Sequence, residues 1–322
     1  MKNAKRKAAI AGGLFAATAA GMGMVAGAIK ILMDEALDRE EPKLFRKHKD
    51  RITGGISDTA IYEAGRAPAR ALREKVTDRV IITNRDGIAL VGHWYPCEDA
   101  KRVVLAMHGW RSSWYHDFGA SSEFMHQNGC SILYAEQRGQ GESGGETMGF
   151  GMTERYDCID WLAWLEENTQ QDLPIYLVGV SMGATTVLMA SGLTLSNRVH
   201  GIVADCGFTS PEAIWCHVAQ DNMRIPYGLL RKSVDRLCRR KINCGPGDDS
   251  TVMALKKCTK PVLLIHGTDD SFVPLEMTLE NYQACAAPCR LFVVPGAQHG
   301  VSYLVNREGY EEAVKEFWQE FD

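Results

Sequence analysis

Ile175-Tyr176-Leu177-Val178-Gly179-Val180-Ser181-Met182-Gly183 is the stretch whose reading decides the fold. Its first five residues form a short apolar, β-rich run. After Gly183 come Ala184-Thr185-Thr186-Val187-Leu188-Met189, which lean helical. A strand that runs through Gly-x-Ser-x-Gly into a helix is a nucleophile elbow. The turn is sharp, the flanking glycines remove Cβ clashes, and the serine hydroxyl is lifted above the sheet edge. The serine also stands at a helix N-terminus, where the dipole favours developing negative charge. Ser181 is the expected nucleophile.

Working outward, further apolar runs alternate with helical stretches. Arg79–Thr83 and Ile88–Trp94 flank Asn84-Arg85-Asp86-Gly87 and read as a β-hairpin, because Asp-Gly is a strong tight-turn signal. Val103–Met107, Ser131–Ala135, Gly201–Ala204, Val262–Ile265 and Leu291–Val294 complete the set with the elbow strand. Short, continuously apolar strands separated by helices predict a mostly parallel eight-stranded sheet buried on both faces, an α/β plan. Between Phe208 and Lys257 the rhythm breaks. A stretch that long is more than a plain connection, and 208–257 is expected to be a partly helical cap. It carries Trp215, Met223, Ile225, Pro226, Tyr227, Leu229 and Leu230, then the basic run Arg231, Lys232, Arg236, Arg239, Arg240 and Lys241.

A serine needs a base, and the base needs an acid to orient it. His299 lies in Gly296-Ala297-Gln298-His299-Gly300, after the eighth strand. Asp269 and Asp270 lie in His266-Gly267-Thr268-Asp269-Asp270-Ser271-Phe272-Val273-Pro274, after the seventh. Both loops follow the carboxyl ends of parallel strands, where open α/β sheets bind ligands. The order Ser181, Asp270, His299 is the Ser–acid–His order of this architecture. Asp269 and Asp205 are alternative acids near the same edge. The third strand ends in His108-Gly109-Trp110-Arg111-Ser112-Ser113, the expected position of an oxyanion-binding loop. The backbone N–H groups of Trp110 and Met182 are the expected donors, and His108 is expected to brace the loop.

These motifs carry a resemblance. Residues 79–322 resemble the α/β-hydrolase superfamily, most of all its serine-aminopeptidase and monoglyceride-lipase-like branch of bacterial esterases. The supporting runs are His108-Gly109-Trp110, Gln137–Ser143, the elbow, His266–Pro274 and Ala297–Tyr303. In one place the chain departs from the pattern. Where the family usually has Asp, a small residue and Arg-Gly-His-Gly, this chain has Glu136-Gln137-Arg138-Gly139-Gln140-Gly141. The resemblance implies a serine hydrolase acting through an acyl-enzyme, with no cofactor and no metal.

A carboxylic ester is the expected substrate, a small acyl compound received by Trp110, Trp114, Phe150 and the apolar cap residues. Peptide or amide hydrolysis on the same site is the alternative, as is a non-catalytic, membrane-tethered binding protein on a reused fold. Composition limits the classes further. The 322 residues are 45% hydrophobic and 24% charged, with a formal net charge of −4, which gives no electrostatic reason to expect nucleic acid as a partner. No 20–50-residue repeat occurs, which excludes solenoids and propellers.

The front end reads differently. Residues 8–29 are 22 in a row without a charge, preceded by Lys2, Lys5, Arg6 and Lys7, and followed by Asp34, Glu35, Asp38, Glu40 and Glu41. The length suits a spanning helix. The flanking charges then place the N-terminus in the cytoplasm and the catalytic domain on the other side. Ala26-Gly27-Ala28 also suits signal cleavage and secretion, and an Ala-rich peripheral or cytoplasmic helix is the third reading. Residues 1–33 are thus expected as an anchor or signal. Residues 34–78 are expected as a stalk, broken at Gly54-Gly55 and Pro68, that ends in a helix packed on the catalytic domain of 79–322. The ten cysteines are scattered through expected core elements, without zinc spacing or a C-x-x-C pair.

Overall fold

The computed structural model describes residues 27, 29–40, 59–75 and 77–322. Helical residues 29–37 form α1, and Thr59–Glu74 forms α2. There follow β1 (Asp78–Thr83), β2 (Ala89–Tyr95), β3 (Arg102–Met107), α3 (Trp114–Gln127), β4 (Cys130–Ala135), α4 (Glu154–Asn168), β5 (Ile175–Val180), α5 (Met182–Ala190) and β6 (Val199–Asp205). The cap holds α6 (Pro211–His217), a π-helical turn at Val218–Asn222, α7 (Tyr227–Ile242) and α8 (Thr251–Leu255). Then come β7 (Val262–Gly267), α9 (Leu275–Ala284), β8 (Cys289–Val294), α10 (Ser302–Val305) and α11 (Arg307–Phe321).

The eight strands form one sheet in the order β1-β2-β4-β3-β5-β6-β7-β8. β1 pairs antiparallel with β2, and β2 antiparallel with β4, while every pairing from β4 to β8 is parallel. The hairpin turn is held by Asn84, whose Oδ1 accepts the N–H groups of Asp86 at 3.0 Å and Ile88 at 2.8 Å. Gly87 supplies the positive φ of 78° that this turn requires.

Side chains alternate across the sheet and feed two cores. Val103, Leu105 and Met107 join Trp161, Leu165 and Leu188 on the face covered by α4 and α5. Val104 and Ala106 join Phe118, Tyr134, Phe317 and Trp318 on the face covered by α3 and α11. Each large side chain buried in this way contributes about 1.5–3 kcal/mol.

A third cluster lies above the carboxyl ends of the strands, between the sheet and the cap. Ile29, Met33 and Leu37 of α1 are buried there beside Phe150, Met182, Phe208, Ile214, Leu230 and Val234. This corrects both expected bounds, because residues 29–33, expected in the anchor or signal, and residues 34–40, expected in the stalk, fold into the domain. The four-residue spacing of Ile29, Met33 and Leu37 gives α1 a single apolar stripe, which the cap covers. α2 also runs through Pro68 without breaking. It packs on α3 so closely that a Cβ on Gly119 would meet the Ala69 backbone at 2.6 Å. Apart from Gly27 and Ile29, the apolar stretch 8–29 lies outside the described residues, as do Gly54 and Gly55. No described helix is long and apolar enough to cross a membrane. All ten cysteines are free thiols.

Candidate active site

β5 ends at Val180, and α5 begins at Met182, so Ser181 alone makes the turn. Its backbone takes φ 55° and ψ −118°, a conformation that L-residues rarely adopt. Both flanking glycines are sterically required. A Cβ on Gly183 would sit 1.9 Å from the Met107 carbonyl oxygen, and one on Gly179 would sit 2.3 Å from that of Gly183. The elbow therefore nests directly against the end of β3.

The parallel strands deliver the other groups to the same edge. Ser181 Oγ donates to His299 Nε2 at 2.8 Å, and His299 Nδ1 donates to Asp270 Oδ2 at 2.7 Å. The other oxygen of Asp270 accepts the N–H groups of Phe272 at 3.0 Å and Val273 at 2.8 Å. His266 Nε2 stands 3.2 Å from Asp270 Oδ2. Burial pushes the Asp270 carboxyl up, but the His299 charge and these hydrogen bonds outweigh it and hold the group well below its ordinary range. Burial pushes the His299 imidazole down, and Asp270 more than offsets this, leaving it well above its ordinary value.

The two alternative acids are placed elsewhere. Asp269 is exposed and accepts from Thr268 Oγ1 at 2.8 Å. Asp205 is buried and accepts from Ser302 Oγ at 3.1 Å. Burial pushes its carboxyl up to about 6.

The loop after β3 lies beside the elbow, since a Cβ on Gly109 would be 3.2 Å from Ser181 Cβ. Trp110 and Met182, the expected oxyanion donors, thus flank Ser181 from two directions. His108 is a brace. Its Nδ1 donates to the Gly109 carbonyl at 2.8 Å, and its Nε2 accepts the Gln137 N–H at 3.2 Å. Burial pushes this imidazole down, which suits the neutral ring that both bonds require. Asp117 accepts the Gly109 N–H at 2.6 Å and Ser112 Oγ–H at 2.5 Å.

The run in which this chain departs from the family pattern is structural as well. Gln137 joins the His108 carbonyl through its Nε2, and its Oε1 accepts from Thr186 Oγ1 at 3.2 Å. Arg138 forks onto both oxygens of buried Asp157 at 2.6 Å each and reaches Asp86 at 2.8 Å. Glu136 accepts from His93 Nε2 at 2.8 Å and from the Glu142 N–H.

The site opens into a cleft of about 240 Å³ lined by Tyr62, Trp110, Asp117, Ser181, Phe272 and His299 among others. A second cavity of about 90 Å³ adjoins it through Glu35, Trp110 and Phe272. Its other walls are apolar, among them Leu32, Met33, Phe150, Trp215 and Ala219. Phe150 thus lies where an acyl pocket was expected, but Trp114 does not. Trp114 is buried under α3 and stacked on His93 at 4.3 Å, because the first turn of that helix faces the sheet. Sequence reading also missed Tyr62, whose hydroxyl donates to the His299 carbonyl at 2.7 Å.

Among the described residues, Cys206, Asp270 and His299 place ligand atoms within 4.8 Å of one another, the group that could hold a metal ion. Two of the three are already engaged in the Ser181 chain. Burial pushes the Cys206 thiol up to about 11, away from the thiolate a metal prefers. The arrangement instead suits proton transfer from a hydroxyl to an imidazole steadied by a carboxylate.

The family model described as serine aminopeptidase, S33, matches residues 98–240. An uncharacterised Bacillus subtilis protein, YqkD, is 27% identical over 240 residues, 74% of this chain and 77% of that protein. The human protein ABHD12B is 28% identical over 232 residues, 65% of this chain and 59% of its own length. Among solved structures, a Pyrococcus furiosus esterase superimposes with a TM-score of 0.64 at 23% identity, covering 76% of this chain and 91% of the esterase. Est1E from Butyrivibrio proteoclasticus, solved with ferulic acid bound, gives 0.57 at 20% identity, covering 75% and 98%. The sheet order, the elbow at the end of β5 and these likenesses agree, and the chain has the α/β-hydrolase fold.

Proposed function

We propose that the protein is a serine hydrolase that cleaves carboxylic esters through an acyl-enzyme. The observation that carries this reading is the unbroken chain from Ser181 Oγ through His299 to Asp270, at the floor of an open cleft. Ser181 Oγ attacks the acyl carbon and passes its proton to His299 Nε2, while Asp270 steadies the imidazolium. The N–H groups of Trp110 and Met182 receive the oxyanion, each donor contributing about 3 kcal/mol to transition-state stabilisation. Collapse expels the alcohol, which takes its proton from His299. Water, deprotonated by the same imidazole, then releases the acid and restores Ser181.

An ester fits better than a peptide with a free amino terminus. An aminopeptidase holds its substrate's ammonium group with a free carboxylate. The two carboxylates lining the cleft are both engaged, Glu35 with Arg111 at 3.4 Å and Asp117 with Gly109 and Ser112. The adjoining cavity is walled mainly by apolar side chains, which suits an acyl chain.

Membrane attachment belongs to the same proposal. It rests on the charge asymmetry about residues 8–29, and an anchor would have to end before Ile29, which is buried under the cap. Fractionation of cells expressing the full chain tests this part, and recovery in the soluble fraction would overturn it. The chemistry is tested with p-nitrophenyl esters of graded acyl length beside an aminoacyl p-nitroanilide. Ester turnover that disappears in Ser181→Ala is the expected result; turnover of the anilide alone would make the protein a peptidase.

A further inference from the structure

We infer that Arg111 is a positioning residue for the acyl-transfer step, clamping the oxyanion loop to α1. The inference rests on the proposed reaction at Ser181. Arg111 follows Trp110 and has a φ of 49°. A non-glycine residue keeps such a backbone only where its surroundings over-determine it.

Here the surroundings are the end of α1. The last carbonyls of a helix have no partners within it, and a cation is favoured beside them. Arg111 meets both needs. Its Nη2 donates to the Glu35 carbonyl at 2.7 Å and to the Asp38 carbonyl at 2.7 Å, and its Nη1 donates to that of Arg39 at 3.3 Å. Next to it, Trp110 Nε1 donates to the Ala36 carbonyl at 2.9 Å. Two successive loop residues are thus tied to four carbonyls of one short helix end.

α1 is itself fixed. Lys241 of the cap helix pairs with Asp34 at 3.0 Å and with Asp38. Arg39 donates to the carbonyls of Ser143 at 2.5 Å and Gly141 at 2.6 Å, and the Met148 N–H reaches the Leu37 carbonyl at 2.6 Å. Asp117 pins the loop on either side of its apex, at Gly109 and Ser112. The apex, Trp110 and Arg111, is pinned by α1. The direction of the Trp110 N–H therefore depends on a helix more than seventy residues earlier in the chain.

The test uses the full chain and p-nitrophenyl butyrate, with a trifluoromethyl ketone as inhibitor. The ketone adds to Ser181 and places an alkoxide where the oxyanion forms. Arg111→Ala should lower kcat by about tenfold or more with KM nearly unchanged. The inhibition constant of the ketone should rise by the factor by which kcat/KM falls. Arg111→Lys, which has no fork to span these carbonyls, should fall between the two. Millimolar guanidinium should recover part of the lost rate in Arg111→Ala.

An unchanged kcat would overturn the inference. So would a loss carried by KM and unfolding temperature while the ketone binds as before. If Arg111→Ala does not fold, Trp110→Phe removes a single clamp bond, and unchanged ketone affinity in that variant overturns the inference as well. A wild-type chain without Ser181-dependent turnover would instead defeat the proposed function itself.

Discussion

Asp270 holds His299 with one carboxylate oxygen at 2.7 Å, while its other oxygen is fixed by the N–H groups of Phe272 and Val273. Those two backbone donors make the orientation of the acid a property of the turn after β7. His299 arrives from the loop after β8, so the bond forms only when two neighbouring parallel strands are in register.

Asp270→Asn should therefore keep this turn but lose the charge that steadies the imidazolium, costing about 10⁴-fold in kcat. Asp205→Asn should cost far less, because Asp205 faces Ser302. Steady-state kinetics of both variants decide this, and equal losses would move the acid to β6. Asp205 also has a stability signature. Its carboxyl is raised to about 6, so the native state holds more protons than the unfolded state between about pH 4 and pH 6. Stability contributed by this group is present at low pH and declines as pH rises through 6. Thermal melts from pH 4 to 8 should show a shallower decline in Asp205→Asn.

The pH profile follows from the raised imidazole. His299 must be neutral to accept the Ser181 proton, and Asp270 raises its pKa above the ordinary histidine value. The acid limb of kcat/KM should accordingly lie above about 6.5. Activity is lost as pH falls through that limb and is full above it. In Asp270→Asn the residual activity should titrate lower; a limb in the same position would mean that another group is being titrated.

Ser181 itself predicts an exchange of stability for function. Its φ of 55° costs a non-glycine residue about 1–3 kcal/mol, which glycine avoids. Ser181→Ala should abolish turnover with an unfolding temperature close to wild type. Ser181→Gly should be equally inactive and melt higher than Ser181→Ala. Calorimetry of the two variants checks the ranking, and the reverse order would mean that the elbow is unstrained.

The elbow and the two loops that bring His299 and Asp270 beside Ser181 were legible because each is a local event: a strand end, a glycine pair, a short loop. The eight strands were legible for the same reason, the first two from the Asp-Gly turn between them and the others because a short apolar run reads the same wherever it packs. The Glu35, Ala36 and Arg111 contacts were not legible, because they join residues more than seventy apart. Their trace in the sequence was the spacing of Ile29, Met33 and Leu37, hidden by the longer apolar stretch in front of it. Trp114 was misplaced because composition cannot tell which side of a helix start faces the sheet. The Gln137 and Arg138 bonds required the fold itself.

Arg138 should prove a stability residue. It and Asp157 are buried, bonded at both carboxylate oxygens, and placed behind the loop that carries Gln137. Removing one partner leaves the other as an uncompensated buried charge, at a cost of about 3–5 kcal/mol. Arg138→Ala should therefore lower the denaturant midpoint strongly, while the folded fraction keeps most of its turnover. Loss of kcat at an unchanged midpoint would instead make Arg138 part of the chemistry.

The apolar cavity predicts a specificity change. Its 90 Å³ is about three times the volume of a water molecule in the liquid. That gives room for a few methylene groups beyond the acyl carbon. Ala219 is buried in its wall, on the π-helical turn of the cap. Ala219→Leu would fill much of this space from the cap side, away from Ser181 and His299, which line the other cavity. The variant should keep its turnover of p-nitrophenyl acetate and lose about tenfold or more on chains that need the cavity, since each excluded methylene forfeits about 0.8 kcal/mol of burial. A profile of kcat/KM against acyl length should then peak at a shorter chain than in wild type. If long and short esters fall together, the acyl chain leaves the site by the open cleft beside Tyr62 and Tyr303, and the apolar cavity is packing space under the cap.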